Sequence, residues 1–345
     1  MPARLLAPSL GAVNACSAVA EESPYLEPGK WAGSLSYRWL HSFREFHGDR
    51  DLPYPTDPGL YANTHVHGLD VSFVYQATDR LSFTLEVPFQ DGDRTTFYEH
   101  DFVRRKSTHA GGVGDVRIAS NFWLFSPAKH HDGNISIGLG VKIPTGNDSA
   151  MDFFRRPSGL VFRPVDPAIQ PGDGGWGIVT ELAMFQKIYT NTFAYAQGIY
   201  LINPRDSNHV QQPTGDEDFF TLGEFGYIFN SVPDQYLARA GLGYLLWPKN
   251  GVSISLGGRV EGVPVEDFIG DSHGWRNAGY AFYIEPGLSV TKGHVSISVT
   301  GPIAFHRHAN KNLTDIKVSK DLGLDFGGNA AFADYLITAS ISLRF

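Results

Sequence analysis

The chain ends in Ala331–Phe345, AFADYLITASISLRF. Counted back in twos, Phe345, Leu343, Ile341, Ala339, Ile337 and Tyr335 are apolar or aromatic, whereas all but one of the residues between them (Leu336) are polar. A period of two places alternate side chains on opposite faces of a strand. A soluble sheet can alternate in the same way. Two details point elsewhere. The run is about ten residues long, against ~5–6 for an average strand and ~9–11 for one that crosses a bilayer. It also continues to the last residue, where soluble domains usually fray.

Composition is compatible with a membrane barrel. Of 345 residues, 13% are aromatic and 38 are glycine, and the mean hydropathy is −0.18. No stretch approaches the ~18–20 continuous apolar residues of a membrane helix. A barrel needs no such stretch, because only every second residue of each strand meets lipid. The formal net charge of −8 supplies no basic field for nucleic acid. A single cysteine, Cys16, excludes an internal disulfide framework and a cysteine-based zinc site. No cofactor is expected.

Residues 1–20 read as a weak or truncated secretory leader. Arg4 precedes a modestly apolar segment, interrupted by Pro8 and Asn14, and Ala18-Val19-Ala20 precedes Glu21. Cys16 reads as a leader thiol rather than a lipid-attachment site. Residues 21–30 are then a periplasmic segment, and 31–345 the barrel.

Alternation recurs along the chain: Trp31 to Trp39, Leu69 to Tyr75, Leu81 to Phe89, Val116 to Leu124 and Ile135 to Ile143, then 176–187, 192–202, 236–247, 252–262, 280–291, 294–305 and 333–345. The segment 192–202 is ambiguous, since Gln197 shares a face with Phe193, Tyr195, Ile199 and Leu201. Short connections such as ATDR, KIYTN, WPKNG and TKG alternate with long ones at 46–65, 90–112, 144–174, 203–235, 263–279 and 306–331. Short periplasmic turns opposite long extracellular loops are the pattern of outer-membrane barrels, and aromatic residues near the segment ends match their interfacial girdles. Both termini belong on the short-turn side, so the strand count is even. The stretch 218–230, DFFTLGEFGYIFN, is assigned to the fourth long loop, which leaves twelve strands; fourteen is the alternative. The fold class is therefore all-β, a single antiparallel transmembrane barrel. The last strand must pair with the first, because hydrocarbon tolerates no unpaired backbone edge. Tyr335, Ile337, Ile341, Leu343 and Phe345 also resemble the terminal signal read by the bacterial barrel-assembly machinery. Outer-membrane lipid and lipopolysaccharide are the implied surroundings.

Several blocks carry a family resemblance. GVGDVRIASNFWLF (112–125), GLGVKIPTGN (138–147) and PGDGGWGIVTEL (171–182) resemble the outer-membrane proteins grouped as the meta-pathway phenol-degradation family. SVPDQYLARAGLGY (231–244) and RVEGVPVEDFIGDSHGWRNAGYAFYIEPGLSV (259–290) resemble a branch of the same barrel group. The resemblance covers roughly 30–345. It implies passage of hydrophobic or aromatic compounds, and it supplies no catalytic residues.

The polar faces of the strands are the expected lumen. They offer Arg38, Arg117, Lys142, Arg239, Arg259 and Arg344 as cations, and Asp70, Glu86, Glu181, Glu261, Glu285 and Asp334 as anions. A selective porin would carry a constriction of one sign. The balanced set points instead to cross-lumen pairs and a narrow or filled pore. The expected function is passive passage or binding of small, hydrophobic or aromatic solutes. The alternatives are a structural or receptor barrel acting through its long loops, and, more distantly, a barrel lipid hydrolase. For the hydrolase, GDSHG (270–274) matches G-x-S-x-G, but no parallel sheet or helix supports a nucleophile elbow there. Ser120 on the outer face and His294 near a turn are the other candidates. The pairs His65/His67, His130/His131 and His306/His308 lack a third metal ligand, so no metal site is expected.

Overall fold

A period of two over a dozen segments predicts staves that hydrogen-bond only to their neighbours. The computed structural model, which describes residues 25–345 except 53–61, 102 and 212–228, has that architecture. In chain order the staves are β1 (Trp31–Ser42), β2 (Asn63–Gln76), β3 (Leu81–Thr96), β4 (Lys106–Val113 and Val116–Trp123), β5 (Gly133–Ile143), β6 (Gly177–Tyr189), β7 (Thr192–Ile202), β8 (Gln235–Trp247), β9 (Val252–Val263), β10 (Gly279–Lys292), β11 (Val295–Thr300 and Ile303–Ala309) and β12 (Tyr335–Arg344). Each pairs antiparallel with the next, and β12 returns to β1 from Ala32↔Arg344 to His41↔Tyr335. Trp31 and Phe345 exchange backbone hydrogen bonds of 2.9 Å in both directions, closing the ring at its lower end. The barrel thus has twelve staves. Two of them are each broken into two segments, so the sheet contains fourteen strands.

Both breaks have the same cause. Pro88 in β3 and Pro286 in β10 cannot donate to the ladder. Opposite them the neighbouring stave turns aside for two residues, Gly114-Asp115 in β4 and Gly301-Pro302 in β11. The glycine N–H donates to the proline carbonyl in each case, at 2.7 Å (Gly114 to Pro88) and 3.1 Å (Gly301 to Pro286).

The outer surface is apolar all the way round. Leu35, Phe73, Leu85, Ile118, Leu139, Leu182, Leu256, Ile284, Ile297 and Ile341 are all exposed. Trp31, Tyr244, Trp247 and Phe345 ring the short-turn end, and Phe89, Trp176, Phe305 and Tyr335 the other. On β7 to β9 the belt thins, because Ala196, Ala240 and Gly258 lie side by side in register. They floor an apolar hollow of about 880 Å³ walled by Leu182, Leu256, Ile284 and Phe305. No helix among the described residues is long and apolar enough to cross a membrane, which is irrelevant to a barrel.

Several expected loops are partly ordered. Most of 90–112 is an extension of the β3–β4 hairpin, paired from Phe89↔Val113 to Thr96↔Lys106. Its alternation continues inward through Arg94 and Thr96, while the outward residues turn polar at Asp91 and Asp93 above the lipid. The segment 306–331 continues β11 to Ala309 and then forms a helix, α1 (Leu313–Leu322). Asn312 and Asp315 close a capping box at its start. Residues 212–228 and the leader lie outside the described residues. Phe229–Ser231, which overlaps the end of 218–230, pairs with Ser207–Gln211 inside the β7–β8 connection.

Candidate functional site

The lumen has two unlike sides. From β6 to β8 the inward residues Val179, Ile199, Leu201 and Leu237 are apolar and buried. From β9 round to β2 they are largely serine and threonine, with hydroxyl pairs such as Ser253–Ser289 at 2.6 Å, Ser298–Ser340 at 2.7 Å and Ser34–Ser72 at 3.0 Å. The ambiguous β7 turns its Gln197 face inward, which places Ala194, Ala196 and Gly198 outside.

Charged residues cluster at two places. Arg239 on β8 and Arg259 on β9 are directly opposite in register, an arrangement of like charges that costs stability unless neutralised. Glu285 on β10 takes both, at 3.0 and 3.3 Å, and Glu261 accepts from Arg259 Nε at 2.8 Å and from the Tyr283 hydroxyl at 2.8 Å. Arg117 and Lys142 repeat the pattern on β4 and β5. Arg117 donates to Glu86, and Lys142 reaches Asp173 in the following loop. Asp70, Glu181 and Arg38 face the same region. These pairs run along the wall or into loops, not across the lumen as sequence reasoning suggested. Asp334 sits at the upper rim, where it accepts from the N–H groups of Phe43 (2.7 Å) and Arg44 (3.0 Å) and pairs with Arg44 Nε and Arg307. Arg344 lies at the lower end, its N–H bonded to the His294 carbonyl at 3.0 Å.

The main feature of the upper lumen comes from the β5–β6 connection. After an exposed hairpin, Met151–Arg156 paired with Gly159–Pro164, the chain turns back into the barrel, and Val165 to Asp173 are all buried. Ile169 is fully buried and clusters with Val165, Ala168, Leu40 on β1, Val66 on β2, Ala110 on β4 and Leu336 on β12. Gly92 on β3 has no side chain because Ile169 occupies the space; a Cβ there would lie 2.9 Å from it. The Gln170 side chain bonds to Ala150 in both directions, accepting from its N–H at 2.7 Å and donating to its carbonyl at 3.0 Å, and also donates to the Val165 carbonyl at 3.0 Å. Ion pairs fix both ends: Asp166 with Arg94 at 3.4 Å above, and Asp173 with Lys142 below. Glu99 shares Arg94 at 2.9 Å; burial raises the Glu99 carboxyl above its usual range, and the adjacent guanidinium offsets part of that rise. A cavity of about 60 Å³ lies above this plug, lined by Arg44, Thr64, Tyr98 and Trp275, and one of about 70 Å³ lies below it, lined by Asp70, Gln90, Lys142 and Leu201.

The lower mouth is occupied from the N-terminal side. Tyr25 is buried edge-on against Trp123 (5.1 Å) and Phe185 (5.8 Å). Its hydroxyl donates to the His130 carbonyl at 2.5 Å and accepts from Asn134 at 3.0 Å.

The other candidates are held elsewhere. The Ser272 hydroxyl donates to Asp267 at 3.1 Å and accepts from the Asp267 N–H at 2.8 Å, beside the buried Arg276–Asp267 pair. Ser120 donates to the Leu139 carbonyl at 3.1 Å on the outer wall, whereas His294 sits in the β10–β11 turn. His67 bonds the Tyr37 hydroxyl at 2.7 Å, and His308 pairs with Asp49, which holds that carboxyl below its usual range. Among the described residues no group of three or more His, Cys, Asp or Glu side chains could hold a metal ion.

No family model matches the sequence, and no curated protein matches it. Solved structures do. An outer membrane channel from Pseudomonas putida F1 aligns over 93% of this chain and 97% of its own, with a TM-score of 0.56 at 13% identity. A Pseudomonas aeruginosa FadL homologue (97% and 96%, TM-score 0.45, 9% identity) and the CymD monoaromatic hydrocarbon channel (100% and 94%, TM-score 0.42, 8% identity) align more loosely. The fold is that of a bacterial outer-membrane β-barrel. At these identities the likeness describes the fold alone.

Proposed function

We propose that the chain is a plugged outer-membrane channel for passive passage of small solutes with an apolar body. The observation that carries this reading is the segment Val165–Asp173, which seals the upper lumen between two cavities. The loop closes the pore at one level and leaves a cavity on either side, as a closure within a solute path would. The apolar side at Val179, Ile199 and Leu201 supports a hydrophobic or aromatic solute, in keeping with the resemblance to the phenol-degradation family. The Pseudomonas putida channel of the same architecture supports the reading by analogy of fold only. Of the charged residues expected in the lumen, Arg38, Asp70, Arg117, Lys142, Glu86 and Glu181 stand nearest the path, and the Arg239–Glu285–Arg259–Glu261 group stiffens the opposite wall. The strand ending in Phe345 serves assembly by the barrel machinery, and the outer belt sits among lipid and lipopolysaccharide.

The test is conductance in planar bilayers together with uptake into proteoliposomes. Wild type should give small or intermittent conductance, and deletion of 165–172 a steady, larger one. Silence from both proteins, with the heat-modifiable mobility of a folded barrel retained, would remove the channel reading in favour of a receptor or structural barrel.

A further inference from the structure

The hydroxyl side of the lumen is organised beyond what wall-building requires. The strand registers bring Ser253, Ser289, Ser298, Ser340 and Ser36 into one horizontal row across β9, β10, β11, β12 and β1, and the next residue in that row, on β2, is Asp70. One level lower, Thr291, Ser296, Ser342, Ser34 and Ser72 repeat the row. Strand pairing does not require serine inward; neighbouring staves use valine and leucine there. Ser34, Ser36, Ser298, Ser340 and Ser342 are only half-buried, so this side of the lumen is open, in contrast to the buried apolar side.

A separate observation marks the end of the upper row. Asp70 is 6% exposed, and one of its carboxylate oxygens has no hydrogen-bond partner among the described residues. Buried acceptors are almost always paired, and leaving one unmet is costly. Asp70 borders the cavity of about 70 Å³ beneath the plug, whose walls combine Arg38, Arg117, Lys142 and Asp173 with Pro171 and Leu201. Room for a single water needs ~10–15 Å³ by the same measure, so the space exceeds one water. An unmet acceptor in a charged pocket with one apolar edge at Pro171 and Leu201, continuous with a track of hydroxyls, fits a ligand with donors on one edge and hydrocarbon on the other.

We infer that Asp70 and the serine row form a binding station for small neutral ring compounds bearing adjacent hydroxyl groups. The hydroxyls donate to Asp70 and then exchange along Ser36, Ser340 and Ser298, while the ring's apolar face lies toward Leu201. This inference rests on the channel reading and narrows its solute class.

The experiment uses the full chain in detergent micelles and measures affinity by calorimetry for cis-1,2-cyclohexanediol and for its dimethyl ether, which has the same ring but no donor. The diol should bind at least about tenfold more tightly, a difference of ~1.4 kcal/mol. Asp70→Asn should erase that preference, and Ser36→Ala/Ser340→Ala, which leaves the charge in place, should reduce it. Uptake of the diol into proteoliposomes is measured alongside, with folding checked by heat-modifiable mobility. Equal affinity for diol and ether, or an unchanged preference in folded Asp70→Asn, overturns the station while leaving a permeable channel intact. Absence of uptake in wild type overturns the channel reading and this inference with it.

Discussion

Lys142→Met is the most informative single change. Lys142 and Asp173 are each 4% exposed on their side chains, and Asp115 lies 3.9 Å from the same ammonium. The substitution keeps the length of the stem and removes the charge. It removes the buried cation paired with Asp173, while the Gly175 N–H stays bound to that carboxylate at 3.0 Å. Breaking a buried pair from one side costs about 3–5 kcal/mol. The penalty falls on the docked plug, because a displaced loop returns Asp173 to water. At ~1.4 kcal/mol per factor of ten, the ratio of open to closed plug should rise by about two to nearly four orders of magnitude. Conductance of reconstituted protein, read as open probability, reports this directly. The double variant Lys142→Met/Asp173→Asn removes both charges and should close the channel again by most of that amount, since losing both partners is far less costly than losing one. A folded Lys142→Met barrel with wild-type open probability would refute the assignment of this pair as the lower latch.

Ile169→Ala should also favour opening, by about 2–5 kcal/mol lost from the docked state, and faster proteolysis within 150–170 would report it. Tyr25→Ala removes two hydrogen bonds and two edge-on ring contacts, so protease should cut between residues 21 and 30 sooner while strand content by circular dichroism stays unchanged. Gly241→Val should prevent barrel formation, because a Cβ there would collide with the Leu256 carbonyl and lie 2.5 Å from Gly257 Cα; loss of heat-modifiable mobility is the readout. For pH, Asp325 beside Lys311 and Asp101 beneath the N–H groups of Val103 and Arg104 both titrate below their usual 3.8. A depressed folded value contributes stability that is complete above the unfolded value and is lost as pH falls through the folded one. Hydrogen-exchange protection factors in the 97–105 and 310–328 segments should therefore fall only below about pH 3.8, and a fall already near pH 6 would contradict it.

The staves were legible because lipid leaves little freedom: one face must be apolar, and the period is fixed by the strand itself. Wherever that constraint lapses, the signal does too. Above the belt the outward residues of β3 become Asp91 and Asp93, so the strand reads as a loop although its inward series runs on to Thr96. On β7 the inward face carries Ile199 and Leu201, because it is pressed by lumen contents rather than water, and alternation alone cannot orient it. The charged lumen residues were visible as polar positions on staves, but their partners were not. Asp173, Asp166, Arg94 and Arg307 come from loops or strand extensions, and a pairing between positions tens of residues apart leaves no local pattern. VDPAIQPGD (165–173) carried a usable hint, since Val165 and Ile169 are uncommonly apolar for a water-exposed loop.

The two proline–glycine interruptions have a mechanical consequence. Each breaks a stave into a lower and an upper piece, on β4 and on β11. The detached upper pieces carry Ala110, which touches the plug cluster, and Arg307, which grips Asp334. At those two seams the mouth is tied to the lower wall only through the unbroken partner staves, β3 and β10. When the inner loop shifts, the mouth can yield at those seams, and the lower wall that seals against hydrocarbon keeps its continuous girdle of backbone bonds.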